Sequence, residues 1–123
     1  MTTPNRLRVL VVDDDEFVLK ATLRTLRLHD FQTSGILNPV AALALCKQQK
    51  FDVVVSDVVM PRMNGFQMKE AICKEMPEMV GKFVFVSGGG DTPEIQMCLS
   101  TVKHLQKPYK NEDLLATIRE ITG

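Results

Sequence analysis

Residues 8–15 read RVLVVDDD: four aliphatic side chains behind Arg8, then Asp13, Asp14 and Asp15 with no turn residue between. A short, uninterrupted aliphatic run of this kind is what a strand buried on both faces of a parallel sheet requires. The pattern returns twice. Residues 52–56 (DVVVS) deliver Asp57 at their carboxyl end, and residues 82–86 (KFVFV) run into Ser87, Gly88, Gly89 and Gly90.

The intervening segments have helical period. Residues 16–28 put Leu19, Leu23 and Leu26 on one face and Arg24 and Arg27 off it. Residues 31–37 form a weaker, more polar strand. Asn38-Pro39 is a helix start, with a side-chain cap followed by proline, and predicts a helix through Ala41, Leu45 and Cys46 towards Lys50. Pro61 and Asn64-Gly65 mark a turn before a helix spanning about residues 66–76. Thr92-Pro93 opens a short helix reaching about Ser100, and His104–Gln106 is a brief last strand. Lys107-Pro108 ends it, and Asn111 is expected to cap a final helix that turns Leu114, Leu115, Ile118 and Ile121 inward.

Five strands alternating with five helices predict one α/β domain over residues 1–123, with a parallel sheet covered on both faces. The three aliphatic strands belong in the centre and the polar second and short fifth strands at the edges. With right-handed crossovers this favours the order 2-1-3-4-5, an established doubly wound order. Ligands then bind outside the carboxyl ends of strands 1 and 3, where Asp13, Asp14 and Asp57 fall.

Bulk composition narrows the function. Fifteen basic residues balance fifteen acidic ones, which leaves no electrostatic footprint for nucleic acid or an anionic membrane. The three cysteines, Cys46, Cys73 and Cys98, are odd in number and widely spaced, against both a disulfide framework and a zinc site. The polar start of the chain lacks a signal-peptide core, and no run approaches transmembrane length, so a cytoplasmic domain is expected.

Gathered carboxylates need a cation: two of them near 4 Å repel by roughly 4 kcal/mol at an effective dielectric of 20. An all-oxygen donor set suits Mg²⁺. Lys107 supplies further positive charge at the mouth, Ser87 a hydroxyl for a phosphoryl oxygen, and Gly88 room for an incoming donor. Taken singly these features are weak: an Asp pair after a strand more often caps a helix, and Lys-Pro is a common turn. The glycine run also lacks the lysine of a Walker loop. Their joint placement at one end of one sheet carries the reading.

Asp13-Asp14 after RVLVV, Asp57 with Met60-Pro61 and Asn64-Gly65, Ser87-Gly88 after FVFV, and Lys107-Pro108-Tyr109 together resemble a bacterial response-regulator receiver domain along essentially the whole chain. The resemblance implies the flavodoxin-like (CheY-like) three-layer sandwich. It implies a two-component phosphorelay in which Asp57 accepts a phosphoryl group from a sensor histidine kinase or histidine phosphotransferase. Asp14 would bind Mg²⁺ directly, Asp13 through water, and the backbone carbonyl of Val59 would complete the protein ligands. Ser87 and Lys107 would contact the phosphoryl group, with Lys107-Pro108 cis. Ser87 would move towards it and shift the face made by the fourth helix, fifth strand and fifth helix, with Met97, Val102 and Tyr109 as contributors.

Such a module catalyses only its own phosphorylation and dephosphorylation, signals to a downstream protein or output domain, and is compatible with a homodimer on phosphorylation. The length leaves no room for an output domain, so the chain reads either as free-standing or as a receiver taken from a longer protein.

Two positions depart from the family pattern. His104 stands where receivers usually carry an aromatic switch residue; the imidazole either follows Ser87 inward or holds an outside polar contact. Ser100-Thr101 replaces a usual Gly-Ala, and the segment is slightly short, so a short or irregular fourth helix is expected. Val59 and Gly89 offer no side chain to orient a water, which predicts slow loss of the phosphoryl group. The rivals are a dehalogenase-like phosphatase, which needs an acid where Val59 stands, and a receiver-like interaction module that works without phosphorylation.

Overall fold

The computed structural model describes residues 6–88 and 92–123; the expectations for Gly89, Gly90 and Asp91 lie outside the described residues. Among the described residues the strands are β1 Arg8–Val12, β2 Gln32–Ile36, β3 Val53–Asp57, β4 Phe83–Ser87 and β5 His104–Gln106. The helices are α1 Glu16–Leu28, α2 Ala42–Gln48, α3 Gly65–Glu75, α4 Pro93–Leu99 and α5 Asn111–Thr122. All pairings are parallel and the order is β2-β1-β3-β4-β5, as the aliphatic patterning requires.

Side chains alternate across a strand, so β1 feeds two cores. Leu10 and Val12 pack with Ala42, Cys46, Met68, Ile72 and Leu99, which come from α2, α3 and α4. Val9 and Val11 pack with Leu19, Leu26, Leu114, Leu115 and Ile118, from α1 and α5. Each fully buried aliphatic side chain contributes about 1.5–3 kcal/mol relative to exposure, which is why the three central strands tolerate no polar interruption before their ends. β2 keeps no fully buried residue and β5 is largely exposed, as edge strands should be.

Register positions the functional end. Val12 lies opposite Ser56, so the next residues along, Asp13 and Asp57, leave the sheet side by side. Asp57 pairs with Val86, and Ser87 with Gln106, so Ser87 and Lys107 follow on the adjoining strands. Four chemistry-bearing residues on four strands thus reach the same rim.

Local details depart from the sequence reading at two helix starts. Asn38 does cap, accepting from the Val40 amide at 2.9 Å, but the first turn, Pro39–Ala41, is a 3₁₀ turn. The α-helix follows from Ala42, burying Ala42 and Cys46 while Ala41 is exposed, and it stops at Gln48 rather than near Lys50. In α5 the cap position belongs to Lys110, whose carbonyl accepts from Asp113 and Leu114, and Asn111 is the first helical residue. Among the described residues no side chain caps this helix; Glu112 and Asp113 in its first turn offset the macrodipole instead. α4 is short, at seven residues, as expected from the Ser100-Thr101 departure.

Candidate phosphoacceptor site

β1 runs into three aspartates whose fates differ. Asp15 is the N-cap of α1: its Oδ1 accepts from the Phe17 amide at 2.9 Å and the Val18 amide at 3.3 Å. The bland reading of the acidic run, a helix cap, is therefore true of the third acid. Asp13 and Asp14 are left for the rim. One carboxylate oxygen from each of Asp13, Asp14 and Asp57 lies within 4.8 Å of the others. Two ligand oxygens on one octahedral Mg²⁺, each at about 2.1 Å, stand roughly 3–4 Å apart, so a small inward movement suffices and the donor set fits.

Asp13 is 6% exposed and Asp14 is exposed, so the cluster runs from wall to mouth. Its inner lining is apolar, with Val11, Val55, Val86 and Tyr109 beneath the carboxylates. Burial against this lining pushes the Asp57 carboxyl up to about 6, with Lys107 opposing the shift and Asp13 and Asp14 adding to it. Burial likewise raises Asp13, against the Asp15 amide and Lys107, which lower it. At neutral pH Asp57 is still mostly ionised while being more basic than an ordinary aspartate, a combination that favours nucleophilic attack.

Lys107 is held by backbone rather than by its charge. Its amide donates to the Ser87 carbonyl at 2.8 Å, and its peptide bond to Pro108 is cis. Nζ stands 3.6 Å from Asp57 Oδ1 and 3.8 Å from Asp13 Oδ2. These are ion pairs too long for hydrogen bonds, and the ammonium is within reach of a group arriving between the carboxylates. Ser87, buried at the end of β4, ends the strand next to Asp57.

The loop after β3 explains Asn64-Gly65. Asn64 Oδ1 accepts from the Gln67 amide at 2.8 Å while Gln67 Oε1 accepts from the Asn64 amide at 2.9 Å, a reciprocal capping box that starts α3. A Cβ at Gly65 would stand 2.5 Å from the Asp57 carbonyl oxygen and 3.1 Å from the Phe85 ring. Glycine here lets α3 close directly against the end of β3. Val59 is 62% exposed at the rim, with no acid at the position a dehalogenase-like nucleophile pair would need.

His104 lies on the outside of β5, with Nδ1 3.1 Å from the Val102 carbonyl, the second of its two expected placements. Met97 is exposed, and Val102 and Tyr109 are half-buried. The residue that sequence reasoning missed is Asp15; its position one before the first helical residue was the available signal. A larger groove of about 730 Å³, floored by Cys46, Phe51, Met76 and Met79, opens at the amino ends of β3 and β4, away from the carboxylates.

Comparison with known proteins agrees with this geometry. The response regulator receiver domain family matches residues 9–119. The chain is 33% identical over 115 residues to the two-component response regulator ORR22 of Oryza sativa subsp. indica, covering 90% of this chain and 16% of that protein. It is 29% identical over 116 residues to protein PilH of Pseudomonas aeruginosa, covering 93% of this chain and 96% of that protein. Thus it spans less than a fifth of the plant regulator but nearly all of PilH. The structure superposes on the chemotaxis protein CheY4 of Vibrio cholerae with a TM-score of 0.84 at 26% identity, over 94% of this chain and 98% of that one. Acid cluster, sheet order and sequence match agree, and the chain belongs to the response regulator receiver domain family of two-component signalling.

Proposed function

We propose that Asp57 is the phosphoacceptor of this receiver and that the chain acts only on itself, taking up and losing a phosphoryl group as a signal. The convergence of Asp13, Asp14 and Asp57 beside Lys107 carries this reading. The donor is a phosphohistidine of a sensor kinase or histidine phosphotransferase. A carboxylate oxygen of Asp57 attacks phosphorus, the P–N bond breaks, and the imidazole leaves with that electron pair, so an aspartyl phosphate forms. Asp14, Asp57 and the Val59 carbonyl would hold Mg²⁺, with Asp13 acting through water, and the ion would supply positive charge against that gathering on the phosphoryl oxygens.

The chain's own residues do the rest. Lys107 Nζ exchanges its long carboxylate contacts for a phosphoryl oxygen. The Ser87 hydroxyl hydrogen-bonds another, drawing the end of β4 towards Asp57. Because the Lys107 amide is tied to the Ser87 carbonyl, that movement reaches β5 and the surface formed with α4 and α5. His104 is then the group that follows inward, leaving its Val102 contact. The phosphoryl group shifts a pre-existing equilibrium by no more than its preference for the active arrangement. The downstream partner is a protein or output domain reading that face, with a homodimer as one form of readout. The single domain works in the cytoplasm; no helix among the described residues is long and apolar enough to cross a membrane.

Acetyl phosphate with Mg²⁺ tests the assignment. Wild type acquires an acid-stable, hydroxylamine-sensitive label, whereas Asp57→Asn and EDTA-treated protein do not. Undiminished labelling of Asp57→Asn refutes the assignment, and an unlabelled wild type favours the phosphorylation-independent module.

A further inference from the structure

We infer that Asp15 is a positioning residue for the phosphoacceptor site, acting through the carboxylate of Asp13. The inference rests on the Mg²⁺-dependent reading of that site. Asp15 grips two things at once. Its side chain holds the first turn of α1 through the Phe17 and Val18 amides, and its carbonyl accepts from Leu19 at 2.9 Å. Its own amide donates to Asp13 Oδ1 at 2.9 Å.

That single amide decides which oxygen of Asp13 is available. Oδ1 is committed to the turn, and Oδ2 is the atom facing Lys107 at 3.8 Å. Asp13 is fixed from the other side too, since its amide donates to the Ile36 carbonyl at 3.2 Å, extending the β1–β2 pairing by one residue. Without the cap, residue 15 (φ −93°, ψ 112°) keeps its amide and its carbonyl bond to Leu19 but loses the side-chain bonds to the Phe17 and Val18 amides, so the donor that orients the Asp13 carboxylate is held less firmly. Groups that orient a metal's ligands or its bound water matter nearly as much as the ligands.

The same geometry separates position from charge. Three aspartates stand in a row, yet the carboxylates that converge are those of Asp13, Asp14 and Asp57, while that of Asp15 is spent on α1. Asparagine caps a helix as well as aspartate does, and alanine does not. Asp15→Asn therefore preserves the site despite losing a charge, and Asp15→Ala impairs it.

The test is Mg²⁺ titration calorimetry on the whole chain, with unfolding in EDTA measured alongside. Asp15→Asn binds within about twofold of wild type, and Asp15→Ala binds about tenfold more weakly. The labelling rate of Asp15→Ala with acetyl phosphate recovers at saturating Mg²⁺. If Asp15→Ala fails to fold, Asp15→Gly, which lacks the acceptor but is tolerated at a cap, takes its place. A merely structural cap lowers the unfolding midpoint and leaves Mg²⁺ affinity in the folded protein unchanged, which overturns the inference. Equal losses in Asp15→Asn and Asp15→Ala overturn it in favour of simple charge. Wild type that binds no Mg²⁺ at all overturns the site reading itself, a result distinct from either.

Discussion

Replacing Asp57 with asparagine should stabilise the metal-free protein, and the gain should depend on pH. The Asp57 carboxyl sits at about 6 in the fold against an ordinary 3.8. The folded chain therefore holds this proton longer than the unfolded chain does. Stability is undiminished below the unfolded value, falls as pH rises from about 4 to 6, and stays reduced above that. At 1.36 kcal/mol per pH unit the displacement costs about 3 kcal/mol once the carboxylate is fully ionised. Asparagine resembles the protonated carboxyl in size and removes that cost, so Asp57→Asn is expected to be about 2–3 kcal/mol more stable at pH 8 in EDTA.

Urea unfolding of both proteins at pH 8, 6 and 4 measures the gap, which should close at the lowest pH. Mg²⁺ at ten times its Kd should return about 1.4 kcal/mol to wild type and little to the variant. A variant no more stable at pH 8, or a gap that persists unchanged at pH 4, refutes the argument that burial and neighbouring charge strain this carboxylate.

Three further changes probe the surrounding loop. Val59→Asn should speed phosphate release from the labelled domain, since the exposed valine has no group to orient a water; slower release from the variant contradicts this. Gly65→Ala should cost at least about 1–3 kcal/mol in chemical denaturation and slow acetyl phosphate labelling, because the added methyl meets the Asp57 carbonyl at 2.5 Å. An unchanged denaturation midpoint would show that α3 can retreat. Arg62 has φ +72°, where a side chain is strained, so Arg62→Gly should stabilise, by about 0.5–1 kcal/mol, without altering Mg²⁺ affinity; a loss of stability would mean that the arginine side chain makes a compensating contact.

Much of the site was legible in the residues because periodicity and strand ends carry it. RVLVV, VVV and FVFV could only be central strands, and a parallel sheet puts their carboxyl ends on one rim. Asp13, Asp57, Ser87 and Lys107 follow from that alone, once the order is 2-1-3-4-5. Helix starts were less legible. Asn111 carries a capping side chain, yet the carbonyl that opens α5 is that of Lys110, because the turn out of β5 sets where the chain enters the helix.

The amino-acid order by itself determined the alternation of buried strands and amphipathic helices, and hence which residues reach the rim, since burial periodicity is a local property of the chain. It offered Asp15 as a cap, one residue before the helix, but not the atoms through which the three aspartates divide their contacts. Only the tertiary structure decided that Asp15 Oδ1 turns to α1 while its amide goes to Asp13 Oδ1, because that choice depends on where the helix begins relative to the sheet. The raised carboxyl of Asp57 is likewise a product of the assembled fold. Its apolar lining and its neighbouring charges come from segments far apart in sequence, and desolvation acts only once they have packed together.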